Sequence, residues 1–512
     1  MMRTTLTLLT LALGLQTSFA LDWPQWRGPN RDGVSTEKGL LKQWPKDGPR
    51  RAWLFSKAGL GYSGFAIAKG KLYTMGSRRS TEQLICLDAN TGRELWATNI
   101  GSELKNGWGN GPRGTPTVQD NRIYAMSGQG NLICTDTSGR TLWQSSMNRL
   151  GGSTPKWGYT ESVVVDGNLA LCTPGGNQGA VAALNKQTGK VLWRSRQFTD
   201  GAQYSSIVPV DHNGARQYIQ LTMNSLVGLD ARSGNVLWKS KWGGKTAVIP
   251  TPIFTNGKVY TSSGYNAGCK LVNIEAGNRV SNIWQNSVMK NHHGGVILLG
   301  KHLFGYSDGG GWVCQDFATG REVWGEKRAM GKGCLTLAEG MMYCVDESRG
   351  DVALASANPN GWKEHGRFRL APQSRIRSSR GKIWTHPVVA NGKLYLRDQE
   401  HIYCHNISAA GGGASVTPTP AGPVGKTLAW TAGVNNQSID VIYKGKTQAV
   451  VTTVFGQPSK TQGTWKAYSG LNITDRQGRK YGTAWFNLAG GTVRRAGEPV
   501  KAGVSVRGRG FL

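Results

Sequence analysis

Six stretches of this chain end alike: an apolar run, an Asp or Asn, a tight turn with Gly, and then Trp. They read LICLDANTGRELW (84–96), LICTDTSGRTLW (132–143), VAALNKQTGKVLW (181–193), LVGLDARSGNVLW (226–238), LVNIEAGNRVSNIW (271–284) and WVCQDFATGREVW (312–324). The closing residues are Trp96, Trp143, Trp193, Trp238, Trp284 and Trp324, spaced 47, 50, 45, 46 and 40 residues apart. A period of 40–50 residues built from short apolar runs marks the blades of a β-propeller. One small sheet cannot bury both its faces, so such units must pack side by side around an axis and close.

Each repeat reads as one blade. The runs GKLYTMG (70–76), NRIYAMSG (121–128), GNLALCT (167–173) and GKVYTSSG (257–264) suit strands buried on both faces. The carboxylates of Asp88, Asp230 and Asp316 can cap their own turns, and Gly92, Gly234 and Gly320 supply a positive φ. The Trp on the outermost strand can bury its ring against the next blade. Inner strands starting near Tyr62, Gly114, Tyr159, Ser205, Ile249, Gly294, Cys334 and Trp384 give eight blades. The seventh repeat, DVALASANPNGWKEHG (351–366), has Trp362 in an altered turn, and the eighth stops at HIYCHNI (401–407). The missing strand is expected from PRRAWLFS (49–56), with Trp53 as the eighth docking residue. That pairing would close the ring and cover exposed strand edges.

The repeat Asp-x-x-Thr-Gly-x-x-x-Trp resembles the tryptophan-docking repeat of quinoprotein dehydrogenases and of the PQQ-like propellers sharing that fold. The opening WPQWRGPNRDG (23–33) is similar to the start of secreted PQQ-like propellers, and the resemblance covers roughly 23–407. It implies an all-β fold: an eight-bladed propeller of four-stranded blades closed by the N-terminal strand. Its function is left open, because the motif is a packing device and the family includes both dehydrogenases and a non-enzymatic lipoprotein of outer-membrane barrel assembly.

The ends of the chain read differently. Arg3, an apolar Leu6–Leu15 and the small residues Ser18 and Ala20 form a signal peptide over 1–20, cleaved after Ala20. No later run is long enough to span a bilayer. The first cysteine is Cys86, so no lipid anchor is expected, and the mature chain is read as exported to the periplasm or beyond. The propeller is assigned to 21–407 and an uncharged Gly/Pro/Ser/Thr linker to 408–425. A small basic all-β domain of unassigned role follows over 426–512, with a hairpin expected around Asp475–Gly478. Cys86, Cys134, Cys314 and Cys404 occupy one strand position in different blades. They are too far apart to bond, so buried free thiols are expected.

Basic residues outnumber acidic ones by 61 to 30, a net +31, and 426–512 alone carries 13 against 3. An exported protein so charged can meet anionic surfaces such as acidic polysaccharide, or keep the charge for solubility. The densest cluster is Arg367, Arg369, Arg375, Arg377, Arg380 and Lys382, in the connection between blades seven and eight, where a solvated loop is expected. Apart from Phe368, no aromatic residue interleaves it before Trp384, which argues against a dedicated nucleic-acid site.

A quinoprotein dehydrogenase needs a Trp platform, basic groups for the cofactor carboxylates, Ca²⁺ held by Glu, Asn and Asp oxygens, and an Asp base. The chain has no adjacent Cys pair and no Cys-x-x-Cys-His, features that members of the family carry. It does have candidate channel residues at the inner-strand entries. These are Trp108, Asn110 and Arg113; Trp157, Tyr159 and Glu161; Tyr204; Asn291, His292 and His293; and Trp384 with His386. They make either a small-ligand site at the channel mouth, with Glu161 the metal ligand if a quinone–calcium site exists, or a hydrogen-bonded plug. Strand alternation puts His292 and His293 on opposite sides, and reads His401 and His405 as packing.

The reading is a monomeric exported propeller acting by binding, as a scaffold or recognition module for an envelope or extracellular protein or an anionic polysaccharide, with no cofactor. The alternative is a PQQ- and calcium-dependent dehydrogenase of an alcohol or sugar. A carbohydrate-binding protein using the aromatic channel mouth is the third.

Overall fold

The computed structural model describes residues 22–409 in full and, beyond them, the backbone of strands between 427 and 509. The signal peptide assigned to 1–20 lies outside the described residues, as does nearly all of the linker. The chain divides into two compact units, Met1–Gly413 and Ala414–Leu512. In the second, five antiparallel strands run in the order Ser438–Tyr443, Thr447–Phe455, Tyr468–Thr474, Lys480–Asn487 and Val493–Arg494.

The first unit is a ring of eight four-stranded blades, the seventh extended by Val34–Ser35, which pairs in parallel with Leu337 and Ala338. Blade 1 is Ala66–Ala68, Lys71–Arg78, Thr81–Asp88 and Glu94–Ser102, and the next six follow in chain order. Blade 8 combines Val388–Ala390, Lys393–Asp398 and His401–Asn406 with Arg51–Phe55 from the N-terminal side. Trp53 faces Cys404 across this ladder, as Trp96 faces Cys86 and Trp143 faces Cys134. The borrowed strand thus copies the register of the others. Arg397 adds a second fastening. Buried and without a carboxylate partner, it donates to the carbonyls of Ser63 and Met75 in blade 1.

The repeat chemistry explains blade packing. The Asp88 carboxylate accepts from the Asn90 and Thr91 amides and the Thr91 hydroxyl, and Asp230 and Asp316 do likewise. The turn is held so that the preceding blade's tryptophan can dock on it. The indole N–H of Trp53 donates to the carbonyl of Ala89, Trp96 to Thr137, Trp143 to Lys186, Trp193 to Ala231, Trp284 to Phe317 and Trp324 to Asn358. Gly92 is required twice over: its φ is +71°, and a Cβ there would lie 2.6 Å from the Trp53 ring.

Trp238 departs from the expected docking. The blade 5 turn holds a short 3-10 segment, Ala276–Asn278, in place of the Asp-capped turn. Trp238 instead donates to Gln217 of its own blade and lies over Gly228, where other blades carry Cys, Ala or Leu. Blade 7 has no docking tryptophan on its last strand. Trp44 of the N-terminal segment fills the blade 7–8 core, against Tyr343 and Phe368. All eight cysteines are buried and unbonded.

The basic connection is less solvated than expected. Arg377 pairs with Asp398, whose side chain is fully buried, while Arg367 pairs with Glu364 and Arg369 with Asp351. Arg375 and Arg380 are exposed.

A candidate binding site on the propeller axis

Seven of the eight inner ladders start later than expected; blade 1 begins at Ala66, not Tyr62, and blade 8 at Val388, not Trp384. The carbonyls just ahead of five of the ladders accept hydroxyls from the neighbouring blade, around the axis. The Thr117 hydroxyl donates to Val163, Thr160 to Tyr204, Ser205 to Pro250, Thr336 to Pro387 and Thr385 to Tyr62. This belt satisfies backbone carbonyls that the blade sheets leave free at the crowded centre. It also fixes the side chains that project into the channel.

One end of the channel is filled by the chain's own N-terminal loop. Trp23 bridges to Ile67 of blade 1, Pro24 accepts from Val118 of blade 2, and the Trp26 indole donates to Thr251 beside blade 5. Arg27 donates to Val296 of blade 6 and Arg31 to Ser162 at the entry to blade 3. The motif WPQWRGPNRDG is therefore an axial stopper, with Trp26 and Arg27 as the floor of a cavity of about 220 Å³.

The walls bring together most of the residues picked out from sequence. Trp108, Arg113, Trp157, Tyr204, His292, His293, Trp384 and His386 all line the cavity. Tyr62 and Tyr265 join them. Aromatic rings run in sequence along one side: Tyr265 to His292 at 4.7 Å, His292 to His293 at 4.9 Å, His293 to Trp384 at 5.6 Å, and Trp384 to Tyr62 at 4.9 Å. The Arg113 guanidinium lies over the Tyr62 ring, 4.9 Å from its centre. Trp108 stands 43% exposed at the open end.

Three expectations need correction. Tyr159 and Glu161 do not line the cavity; their neighbours Thr160 and Ser162 do. Tyr159 packs in the blade 2–3 core, where its hydroxyl donates to the Pro174 carbonyl. Glu161 is turned to the Thr173 amide and hydroxyl, and burial pushes its carboxyl up to about 7. Glu161 is thus a structural acid, not a metal ligand at the axis. His292 and His293 do share the cavity, because 290–294 is an irregular bend and strand alternation does not apply. Asn110 and Asn291 are not in the lining: Asn110 donates to Glu103, and Asn291 to the Gly295 and Tyr306 carbonyls. His405 is buried against the Pro49 carbonyl, consistent with packing.

The electrostatics of the site were not legible in the sequence. Burial pushes His292 down to about 2 and His386 to about 3, so both are neutral. Although burial opposes it, hydrogen bonding to His293 and the charge of Lys332 hold the Glu347 carboxyl below its ordinary range. That carboxylate accepts from His293 Nε2 at 2.5 Å and from the Trp384 indole at 3.1 Å, and so orients both rings. Asp308 pairs with Lys332. Arg27 and Arg113 face the cavity with no carboxylate in contact. Glu82, which acts on Arg113 from a distance, spends its oxygens on the Leu104 and Gly128 amides. Trp26, Arg27 and Glu347 were missed because they lie outside the repeat positions. A Trp-Arg-Gly-Pro loop ahead of the first blade was the available signal for the first two.

A calcium ion does not fit this donor set: among the described residues, no Asp or Glu lines the cavity. Among the described residues, no three His, Cys, Asp or Glu side chains are grouped to hold a metal. No helix among them is long and apolar enough to cross a membrane.

Comparison with known proteins places this fold. The family model described as "Outer membrane protein assembly factor BamB" matches residues 50–156, 80–326 and 281–412. Outer membrane protein assembly factor BamB of Yersinia pestis is 24% identical over 243 residues, covering 43% of this chain and 56% of that protein. The same factor of Nitrosomonas eutropha is 24% identical, covering 41% and 50%. The chain thus spans about half the length of these curated relatives, though 81% of that of Moranella endobia at 23% identity. The crystal structure of BamB from Moraxella catarrhalis shares the fold, with a TM-score of 0.50 at 15% identity over 69% of this chain and 96% of that one. With the repeats, the closed eight-bladed ring and this match in agreement, the chain belongs to the PQQ-like propeller repeat family described as outer membrane protein assembly factor BamB.

Proposed function

We propose that this protein is an exported envelope propeller that acts by binding, as a scaffold in outer-membrane protein assembly. The carrying observation is the donor set on the axis: aromatic rings, His292 and His386 kept neutral by burial, and two arginines, with no Asp or Glu among the described residues of the lining. Such a lining recognises a partner or ligand, but it supplies neither the oxygen ligands for calcium nor the Asp base of quinoprotein oxidation. The names of the sequence relatives support the assembly role.

Two measurements test this. Titrating the purified mature chain with PQQ and Ca²⁺ should give no saturable absorbance change and no dye reduction with alcohol or sugar. In cells that make the protein, removing its gene should lower the amount of folded barrel protein in the outer membrane. Dye reduction together with unchanged barrel levels overturns the proposal in favour of the dehydrogenase.

A further inference from the structure

Outside any assembly role, the axial cavity has the features of a site for an anion. Arg113 and Arg27 sit at its wall and floor without carboxylate partners, and the nearby acids Glu347 and Asp308 are held by His293 and Lys332. Bringing unpaired charges out of water is costly, and an incoming anion offsets that cost. Both Arg27 Nε and Arg113 Nε are buried without a hydrogen-bond acceptor. The remaining surface is made of aromatic faces, which suit the flat side of a ring. A cavity of about 150 Å³ holds a benzene ring, so 220 Å³ leaves room for one six-membered ring and its substituents.

The open end extends this chemistry. The loop carrying Arg375, Arg380 and Lys382 reaches the mouth: the Ser378 hydroxyl donates to the Gly107 carbonyl, and Gly381 packs against the Tyr62 hydroxyl and the Trp108 carbonyl. Arg380 lies between these two contacts and is exposed. Across the mouth, the Lys156 ammonium lies over Trp157 at 5.1 Å. A cavity sized for one ring, opening on a basic rim, fits a chain whose further units also carry negative charge.

We propose that the axial cavity and its basic rim bind the end of an acidic polysaccharide, with one hexuronate ring against the aromatic walls and its carboxylate at Arg113. Trp108 at the mouth stacks on the following unit, and Arg380 and Lys156 meet the next carboxylates.

The test is calorimetric titration of the full chain with tetragalacturonate at about 0.5 M salt, where screening reduces non-specific attraction to a range of roughly 4 Å. One site per chain is expected, with a neutral hexose tetramer binding at least tenfold more weakly. Trp108→Ala should weaken the acidic tetramer at least tenfold while the protein melts as the parent does. Arg113→Gln should weaken it further, and Arg380→Glu should lower affinity for the tetramer more than for the monomer. Equal binding of the neutral and acidic tetramers overturns the proposal. So does binding at many sites per chain that ignores Trp108→Ala. Benzoate binding as tightly as the tetramer would reduce the site to one for small aromatic acids and overturns the polysaccharide assignment.

Discussion

Two sets of aromatic residues organise this propeller, and they differ in what they face. The outer tryptophans recur with the blade period, and in six of the eight interfaces an indole N–H is given to the next blade's turn. The axial aromatics also recur near the blade period, with Tyr62, Trp108, Trp157 and Tyr204 spaced 46, 49 and 47 residues apart, but they surround a space, beside arginines with no carboxylate in contact among the described residues. A ring satisfied on every side is a packing device. A ring on one side of a cavity, beside an unpaired charge, is a recognition surface. Whether a ring is satisfied on every side separates structure from function here better than period or residue type does.

The sharpest way to break that contrast is to remove the segment that serves both sets. Residues 22–56 supply the last strand of blade 8, Trp44 for the blade 7–8 core and the cavity floor. Their deletion should abolish cooperative folding, seen as aggregation in sedimentation and a lost thermal transition. A soluble variant melting like the parent would show that the ring closes another way.

Next come single side chains from each set. Trp143→Ala should cost about 3–5 kcal/mol in denaturant unfolding, the range for emptying a large buried aromatic. Trp108→Ala, at an exposed position, should cost under about 1 kcal/mol. Similar losses at both sites would erase the distinction.

The basic connection offers a third contrast. Arg377→Glu leaves the buried Asp398 facing a like charge and should cost about 3 kcal/mol or more. Arg380→Glu, on an exposed side chain, should stay within about 0.5 kcal/mol. Equal effects would mean that the Arg377–Asp398 pair does not hold the loop.

The smallest effect concerns Glu161. Its folded-state carboxyl is raised to about 7 from 4.5. The folded state therefore binds the proton more tightly, so this contribution is present below about pH 4.5 and is lost as pH rises through about 7. The whole change is at most roughly 3 kcal/mol. Glu161→Gln should flatten that part of the stability–pH curve and leave axial binding unchanged. A loss of axial binding would return Glu161 to the cavity chemistry.

How much was legible can be judged at particular residues. Trp53 was placed correctly because the missing eighth tryptophan left one vacancy and one unmatched apolar strand. Trp238 was not, because its docking depends on the next blade's turn at Ala276–Asn278 and on Gly228 beneath its ring, neither of which the Trp-ended motif of its own blade displays. Eight of the twelve channel candidates line the cavity, as the reading that strand entries face the axis expects. Tyr159 and Glu161 are turned away, to the blade 2–3 core and to Thr173, while His292 and His293 share the cavity because their backbone is irregular.

By itself the sequence determined the blade count, the closing strand and the buried position of the repeat cysteines. These follow from local periodicity, which repeats the same short-range turn and strand chemistry in every blade. Only the tertiary structure decided which charges pair, that the N-terminal loop fills the axis, and that Arg113 and Arg27 face a common cavity unpaired. Those outcomes depend on contacts between chain segments hundreds of residues apart, such as Arg27 with Val296, and no local pattern encodes a contact of that range.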